Sequence, residues 1–173
     1  MSLVRGPWPA PEYRIHYELP APIGFAYRWC TDYRTDDGRR AGEPYQRKVI
    51  RRDRRSVLFE DLWWEPDGWR WRRTEVSLRP PNGWVAHSTG NIRDAEITYR
   101  LRPLPNGHSE LDLRMRRRPS VWHPTQPRKA PFERDLRRLW RSLARALGRE
   151  YAKTSRARAP TSRGAPRRRH ARK

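Results

Sequence analysis

Apolar and polar residues alternate along most of this chain, which is the pattern of half-buried β-strands. Within Tyr13–Leu19, aromatic and aliphatic residues take the odd positions, and Arg14, His16 and Glu18 take the even ones. The same alternation predicts six more strands: Tyr45–Arg52, Ser56–Glu65, Trp69–Arg79, Trp84–Gly90, Ala95–Leu104 and His108–Arg117. A chain with seven such segments must bury one face of a sheet.

Three triplets of Pro, then Asp or Asn, then Gly follow the third, fourth and sixth of these predicted strands. They are Pro66-Asp67-Gly68, Pro81-Asn82-Gly83 and Pro105-Asn106-Gly107. Pro presets the φ angle of a turn, Asp or Asn tolerates the next position, and Gly supplies the positive φ that closes a three-residue hairpin loop. The triplets therefore predict an antiparallel meander.

The loop length in the last hairpin decides which face of its strands is buried. A three-residue loop sets Leu101 opposite Leu111 and Tyr99 opposite Leu113. A loop shorter by one residue would turn these apolar side chains to solvent, because strand side chains alternate between the two faces. The three-residue loop is therefore expected. On the inner face it also sets Ile97 opposite Met115. On the outer face it pairs Arg102 with Glu110 and Arg100 with Asp112.

The same loop geometry, carried to the other two hairpins, predicts the inner face of the middle strands. That face holds Leu58, Glu60, Leu62, Trp64, Arg72, Thr74, Val76, Leu78, Trp84, Ala86 and Ser88. The outer face is then expected to place Trp63 across from Trp71 and Asp61 across from Arg73. Both faces of these strands carry aromatic residues.

Helical spacing of apolar residues appears at two places. Pro22–Tyr33 predicts a short helix, and the polar stretch Thr35–Gly42 a second, shorter one. After the Pro-rich connection Arg118–Pro131, the segment Phe132–Tyr151 has one apolar stripe with arginines opposite, which predicts a long amphipathic helix. The predicted fold is therefore α+β: a seven-stranded, curved antiparallel sheet wrapped around a long C-terminal helix, with two short helices after the first strand.

Composition divides the chain into three parts. Residues 1–11 form a Pro-rich N-terminal arm, residues 12–151 one domain, and residues 152–173 a basic tail expected to be disordered. The chain has 173 residues, nine Trp and a net charge of +21. Such a charge favours polyanions, whether nucleic acid or an anionic membrane surface, and the tail residues expected to contact them are Arg156, Arg158, Arg163, Arg167, Arg168, Arg169, Arg172 and Lys173.

The single cysteine, Cys30, has no partner for an internal disulfide, and residues 1–11 lack the apolar segment of a signal peptide. No apolar run reaches membrane-spanning length. The expected location is the cytoplasm.

Two segments carry a resemblance to a known superfamily. Leu19-Pro20-Ala21-Pro22, followed by Tyr27, Trp29 and Thr31-Asp32-Tyr33, resembles the opening of prokaryotic START-like proteins, also called SRPBCC proteins. The stretch from Val76 to Trp84 is similar to their middle hairpin. This superfamily includes lipid-transfer domains, the birch-pollen allergen group and polyketide cyclases. The resemblance spans about residues 12–152 and implies a helix-grip fold with a cavity for a hydrophobic ligand, but it identifies no catalytic residue and no cofactor.

The first functional hypothesis is therefore binding of an apolar small molecule or lipid between the sheet and the terminal helix. The residues expected to line that site are Glu60, Leu62, Trp64, Arg72, Thr74, Val76, Trp84, Ser88, Tyr99, Leu113, Leu136, Trp140 and Leu143. A filled interior with an internal polar network is the alternative for each of them.

Two other functions stay open. One is a nucleic-acid or ribonucleoprotein-associated protein that uses the Arg-rich helix and tail. The other is a cyclase-like or aromatase-like enzyme that uses inward Glu60, Arg72 and Tyr99. Non-enzymatic binding is favoured over catalysis, because the histidines are scattered and no metal-ligand spacing occurs. The aromatic group Trp63, Trp69 and Trp71 is compatible with nucleic-acid stacking, with a homodimer contact or with cover by the N-terminal arm; the oligomeric state is left open.

Overall fold

Seven strands and three helices form within the residues that the computed structural model describes, which are 8–43, 45–91, 94–119 and 124–158. In chain order they are β1 (Tyr13–Leu19), α1 (Ile23–Cys30), α2 (Asp37–Ala41), β2 (Gln46–Arg52), β3 (Ser56–Glu65), β4 (Gly68–Arg79), β5 (Gly83–Gly90), β6 (Asp94–Pro103), β7 (Ser109–Arg118) and α3 (Lys129–Arg158). Each predicted strand is present, and both short helices follow β1 as the spacing indicates.

The strands form one antiparallel sheet in the order β1-β7-β6-β5-β4-β3-β2. The register of the last hairpin is the one predicted, with Leu101 opposite Leu111 and Tyr99 opposite Leu113. On the outer face Arg102 pairs with Glu110 at 2.7 Å. The hydrophobic pattern therefore determined this register correctly, because only one of its faces is apolar.

The register predicted for the β3–β4 hairpin is wrong by one residue. Glu65 pairs with Gly68, so that the loop contains two residues rather than three, and Trp64 rather than Trp63 lies across from an aromatic residue of β4. On β3 the inner and outer faces are thereby exchanged. Four residues expected inside, Leu58, Glu60, Leu62 and Trp64, lie on the outer face. Val57, Phe59, Asp61 and Trp63 face inward instead.

The reason is that β3 carries apolar residues on both faces, so hydrophobicity alone leaves its orientation undetermined. The inner face has a charge that must be neutralised: Asp61 is fully buried and contacts Arg47 of β2 and Arg72 of β4. A buried carboxylate needs such partners. These contacts join three strands, and periodicity within one strand contains no information about them.

The β4–β5 hairpin keeps the predicted facing with a shifted loop. Arg79 pairs with Gly83 and Leu78 with Trp84, so the loop comprises residues 80–82 instead of 81–83. The shift changes the pairing by two residues, which leaves every side chain on its predicted face. Thr74 and Ser88 accordingly lie opposite each other inside, with their hydroxyl oxygens 3.0 Å apart.

Helix α3 is longer at both ends than its apolar stripe predicts. It begins at Lys129, where Pro131 is tolerated within the first turn, and it ends at Arg158 rather than at Tyr151. Ala152, Lys153 and Ala157 are good helix formers, and neither Gly nor Pro occurs between Tyr151 and Pro160. Residues 152–158 of the expected tail are therefore helical, and residues 159–173 lie outside the described residues.

The core lies between the concave face of the sheet and α3. Leu136, Trp140 and Leu147 of α3 are buried against it. The strand residues that form most of this core are Tyr13, Ile15, Val57, Phe59, Val76, Trp84, Ile97, Leu101, Leu111, Leu113 and Met115. The helix thus covers the sheet without touching every part of it, and the uncovered part lies toward β2, β3 and β4.

Candidate functional site

A cavity of about 340 Å³ lies between the concave face of the sheet, α1, α2 and α3. Helix α3 contributes Leu139, Trp140 and Leu143, which approach it from the side opposite the sheet. The other residues that line it are Trp29, Cys30, Tyr33, Asp37, Ala41, Glu43, Tyr45, Arg47, Trp63, Arg72, Trp84 and Tyr99. The interior is therefore open at this end rather than filled by its tryptophans.

One wall of the cavity is aromatic and rigid. Trp84 and Tyr99, on adjacent strands, stack with ring centroids 4.7 Å apart and an interplanar angle of 10°. Tyr99 also contacts Trp140 of α3 at a centroid distance of 6.1 Å. Aromatic rings at these distances attract each other beyond simple area burial, so the wall is held in place by its own contacts. It presents a flat apolar surface to the cavity.

The opposite end is a buried ionic cluster of four residues. The Arg47 guanidinium donates from Nε to Asp61 Oδ1 at 2.7 Å and from Nη2 to Asp61 Oδ2 at 3.1 Å. Its Nη1 donates to Asp37 at 2.5 Å, and Arg72 also donates to Asp61. The Arg47 guanidinium lies 4.0 Å from the Phe59 ring centroid, so it is held from both its edge and its face.

The two carboxylates of this cluster have opposite pKa shifts. Burial alone would raise the pKa of Asp61, but the hydrogen bonds and charges of Arg47 and Arg72 outweigh it and hold this pKa below its ordinary value. Burial raises the pKa of Asp37 to about 6, and the charge of Arg47 opposes this only in part. Asp37 is consequently the group in the cavity that changes charge nearest to neutral pH.

Two buried donors of the cavity lack an acceptor. The Trp29 indole N–H and the Arg72 Nε–H have no hydrogen-bond partner among the described residues. A buried donor without a partner costs free energy, about 1–3 kcal/mol for a neutral group. Both side chains line the cavity, so an oxygen atom of a bound molecule would complete their hydrogen bonding.

The structure brings only part of the predicted ligand-binding set to this cavity. Arg72, Trp84, Tyr99, Trp140 and Leu143 line it. Five others are inward but belong to the packed core, away from the cavity: Thr74, Val76, Ser88, Leu113 and Leu136. The remaining three face outward: Glu60 pairs with Arg73 at 2.6 Å, and Leu62 and Trp64 are exposed, Trp64 by 58%.

Of the predicted polyanion-binding residues, Arg156 is exposed on α3, the side chain of Arg158 is not described, and the other six lie outside the described residues.

The residues that sequence reasoning missed come mainly from α1, α2 and β2. Arg47 lies on β2 and Tyr45 directly precedes that strand, while Trp29 lies in the last turn of α1 and Tyr33 follows it. Alternation along β2 places Arg47 on the same face as the apolar Val49, and this pattern could have indicated that Arg47 faces inward. Asp61 was expected outside, paired with Arg73, and is the central buried acid.

The corrected register separates Asp61 from two titratable residues of β4 and β5. His87 and Glu75 lie opposite each other on the outer face, exposed, whereas Asp61 lies inside. Within the described part of the chain, no three His, Cys, Asp or Glu residues are placed to hold a metal ion. In the same part, no helix combines the length and the apolar content that crossing a membrane requires.

A wider groove of about 870 Å³ lies elsewhere, between α1 and the last turns of α3. Its lining includes Arg28, Asp32, Arg34 and Glu150, and Arg34 pairs with both Asp32 and Glu150. Charges that already satisfy one another leave little for a ligand to gain. The smaller cavity combines an aromatic wall with unsatisfied donors, and it is the candidate site.

Solved structures share this arrangement of a curved sheet and a long helix. The Zhui aromatase/cyclase from Streptomyces sp. R1128 matches with a TM-score of 0.61 and 12% identity, over 85% of this chain and 96% of that one. This chain has the helix-grip fold. TTHA0849 from Thermus thermophilus matches with a TM-score of 0.58 and 18% identity, over 84% and 99% of the two chains. Ara h 8.0201 gives 0.61 and 7%, over 82% and 97%.

At these identities the helix-grip likeness establishes the fold and nothing finer. No protein-family model matches the sequence, and no curated protein sequence matches it. Any indication of function therefore comes from the residues of the cavity.

Proposed function

We propose that this protein binds a small, mostly apolar molecule or lipid that has a flat or aromatic body and one oxygen-bearing, preferably anionic, end. The observation that carries the proposal is the cavity itself, which combines an aromatic wall with buried donors of Trp29 and Arg72 that have no partner among the described residues. Small-molecule sites commonly combine apolar walls with a few placed polar groups. The aromatase/cyclase that shares this fold supports the proposal by analogy of fold only.

The preference for an anionic end follows from hydrogen bonding. Arg72 uses Nη2 on Asp61, which leaves its Nε–H for an acceptor, and the Trp29 indole can only donate. A hydrogen bond to a charged group contributes about 1.5–3 kcal/mol, roughly twice a neutral one.

The cyclase-like mechanism with Glu60 as an internal acid does not apply, because Glu60 lies on the outer face.

Two fluorescent probes test this proposal. Aminoanthracene is aromatic and neutral, and anilinonaphthalene sulfonate is aromatic and anionic; both should bind the wild-type protein at one site. Leu143→Trp places a larger side chain in the cavity and should weaken both probes at least about tenfold, a change of about 1.4 kcal/mol. Unfolding temperatures show that the variant remains folded.

The polar end is tested with a matched pair on β4. Arg72→Gln should weaken the sulfonate about tenfold and leave aminoanthracene within about threefold, since it removes the charged donor and leaves the aromatic wall in place. Arg73→Gln, one residue along and on the outer face, should change neither probe. Unchanged binding of both probes to Leu143→Trp would reject the cavity as the site. Equal losses of both probes in Arg72→Gln would reject the anionic end alone.

A further inference from the structure

The exposed face of α3 carries a row of six arginines. Its members lie on the side of the helix opposite Leu136, Trp140 and Leu147, and all are exposed. We define this cationic row as Arg134, Arg138, Arg141, Arg145, Arg149 and Arg156. From the first to the last it extends about 33 Å at 1.5 Å per residue.

Acidic residues do not neutralise the row. Arg138 pairs with Asp135 at 3.3 Å, and the other five make no ion pair within the described residues. The neighbouring acids are engaged elsewhere, Glu133 with Lys129 and Glu150 with Arg34 and Arg40. Some arginines elsewhere on the surface are paired, for example Arg73 with Glu60 and Arg102 with Glu110. The field of the row is therefore positive along its whole length.

We infer that the cationic row of α3 binds the phosphate backbone of a double-stranded nucleic acid, without sequence specificity. A duplex carries one negative charge per about 1.7 Å of its axis, so its backbone is a linear array of charge that a straight helical row can follow. Arginine also suits phosphate oxygens better than lysine does, because its guanidinium can donate two parallel hydrogen bonds.

Two observations favour a duplex over a membrane surface. A helix that lies in a membrane inserts an apolar face, and the apolar face of α3 is already buried against the sheet. In addition, the large exposed apolar residues of the described chain, such as Trp64, Trp69 and Trp71, lie on the outer face of the sheet, which points away from α3. The row therefore has no apolar group beside it, among the described residues, to enter a bilayer.

The same absence of exposed aromatic residues beside the row argues against single strands. Proteins that bind single-stranded nucleic acid without specificity stack its bases on aromatic side chains along a basic groove. The row, in the part of the chain that the structure describes, offers charge alone. Phosphate contacts without base contacts are the mode of nonspecific duplex binding.

The test measures binding of the full chain to a labelled duplex of mixed sequence, about 20 base pairs long, by fluorescence anisotropy at several salt concentrations. Arg141→Glu, Arg145→Glu and Arg149→Glu are combined in one variant. We expect affinity to fall at least about tenfold, and the slope of log affinity against log salt to be smaller by about 0.9 for each phosphate that the variant no longer neutralises.

The control variant combines Arg54→Glu, Arg55→Glu and Arg79→Glu, which make the same change in net charge at exposed positions away from α3. It should retain wild-type affinity within about threefold, because the substituted charges are not in the row. Unfolding temperatures show that both variants keep their fold, and a triple Arg→Gln variant of the row serves if the Glu variant does not fold.

Several outcomes would overturn the inference. Wild-type affinity in the row variant would assign duplex binding to other residues, such as the tail. Equal losses of affinity in the row and control variants would make the effect one of net charge. Preference for a single strand of the same length, or binding to vesicles containing phosphatidylglycerol without binding to duplex, would replace the duplex by another partner.

Discussion

Asp61 is the residue that holds the polar end of the cavity together. It is fully buried and is the shared acceptor of Arg47 and Arg72, which reach it from the strands on either side. Removing one partner of a buried ionic group is costly, because it leaves uncompensated charges in a medium of low polarity. The adjacent Glu60, on the outer face, pairs with Arg73 in contact with solvent.

This difference predicts contrasting effects of two neighbouring substitutions. Asp61→Ala should lower the free energy of unfolding by about 3–5 kcal/mol, since it leaves two buried guanidinium groups without their acceptor. Glu60→Ala should lower it by about 1 kcal/mol or less, as expected for an exposed pair. Urea unfolding of the two variants measures both. Similar costs at the two positions would contradict the inward orientation of Asp61 on β3.

Asp37 gives the cavity a dependence on pH. Its pKa is raised by burial from 3.8 to about 6, so the folded protein holds this proton more tightly than the unfolded chain does. Between about pH 4 and 6 the contribution of Asp37 to the free energy of unfolding therefore decreases as pH rises. Asp61 has the opposite sign: its stabilisation is present above about pH 4 and is lost as pH falls through its lowered pKa.

Protonation of Asp37 also removes a negative charge beside Arg47. The charges of Asp32, Asp36 and Arg40 also affect the pKa of Asp37. An anionic probe should consequently bind more tightly near pH 5 than near pH 7, and aminoanthracene should not. Asp37→Asn should remove the difference for anilinonaphthalene sulfonate. Asp36→Asn is the control, because the pKa of Asp36 is lowered and it stays charged over this range. A pH response that persists in Asp37→Asn would assign it to another group.

At the scale of elements, the contact between β4 and β5 leaves no room for a side chain at Gly90. A Cβ atom there would lie 2.9 Å from Arg72 Cα and closer still to the Trp71 carbonyl oxygen. Because backbone atoms are the obstacle, no side-chain rotation can relieve the contact. The close approach positions Arg72, which pairs with Gly90 in the sheet, at the polar end of the cavity.

Gly90→Ala should therefore destabilise the protein by about 1–3 kcal/mol, the usual cost of inserting atoms into a well-packed region. Gly24→Ala provides the comparison: its Cβ would meet nothing nearer than Arg28 Nη1 at 3.7 Å, and alanine favours the helix by about 0.5–1 kcal/mol. Thermal unfolding of the two variants should shift in opposite directions. A shift of Gly90→Ala to higher temperature would show that the strands separate easily there.

The elements differ in how far their sequences predict them. The β6–β7 register followed from alternation alone, because Leu101, Leu111 and Leu113 leave one apolar face. The facing of β3 did not, because apolar residues occur on both of its sides and a contact with two other strands decides between them. The ends of α3 were underestimated for a related reason: the apolar stripe marks where a helix packs, not where it ends.

At the scale of the whole molecule, α3 separates two surfaces. Leu139, Trp140 and Leu143 face the cavity, and the cationic row lies on the opposite side of the same helix. Substitutions on one face should therefore leave the function proposed for the other face intact, since distant sites without shared partners act independently. Probe binding to the row variant and duplex binding to Leu143→Trp measure this independence.

The sequence by itself determined the order of the elements, the hairpins, the helix that covers the sheet and hence the helix-grip fold, since turn residues and hydrophobic periods act over short stretches of chain. It also determined the cationic row as far as Arg149, which is a property of helical spacing, whereas Arg156 joins the row because α3 continues past Tyr151. Only the tertiary structure decided that the interior is open, that Asp61 lies inside, and that Trp29 and Arg72 keep donors without a partner among the described residues. These depend on packing volumes and charge contacts between strands and helices distant in sequence, which no local pattern encodes.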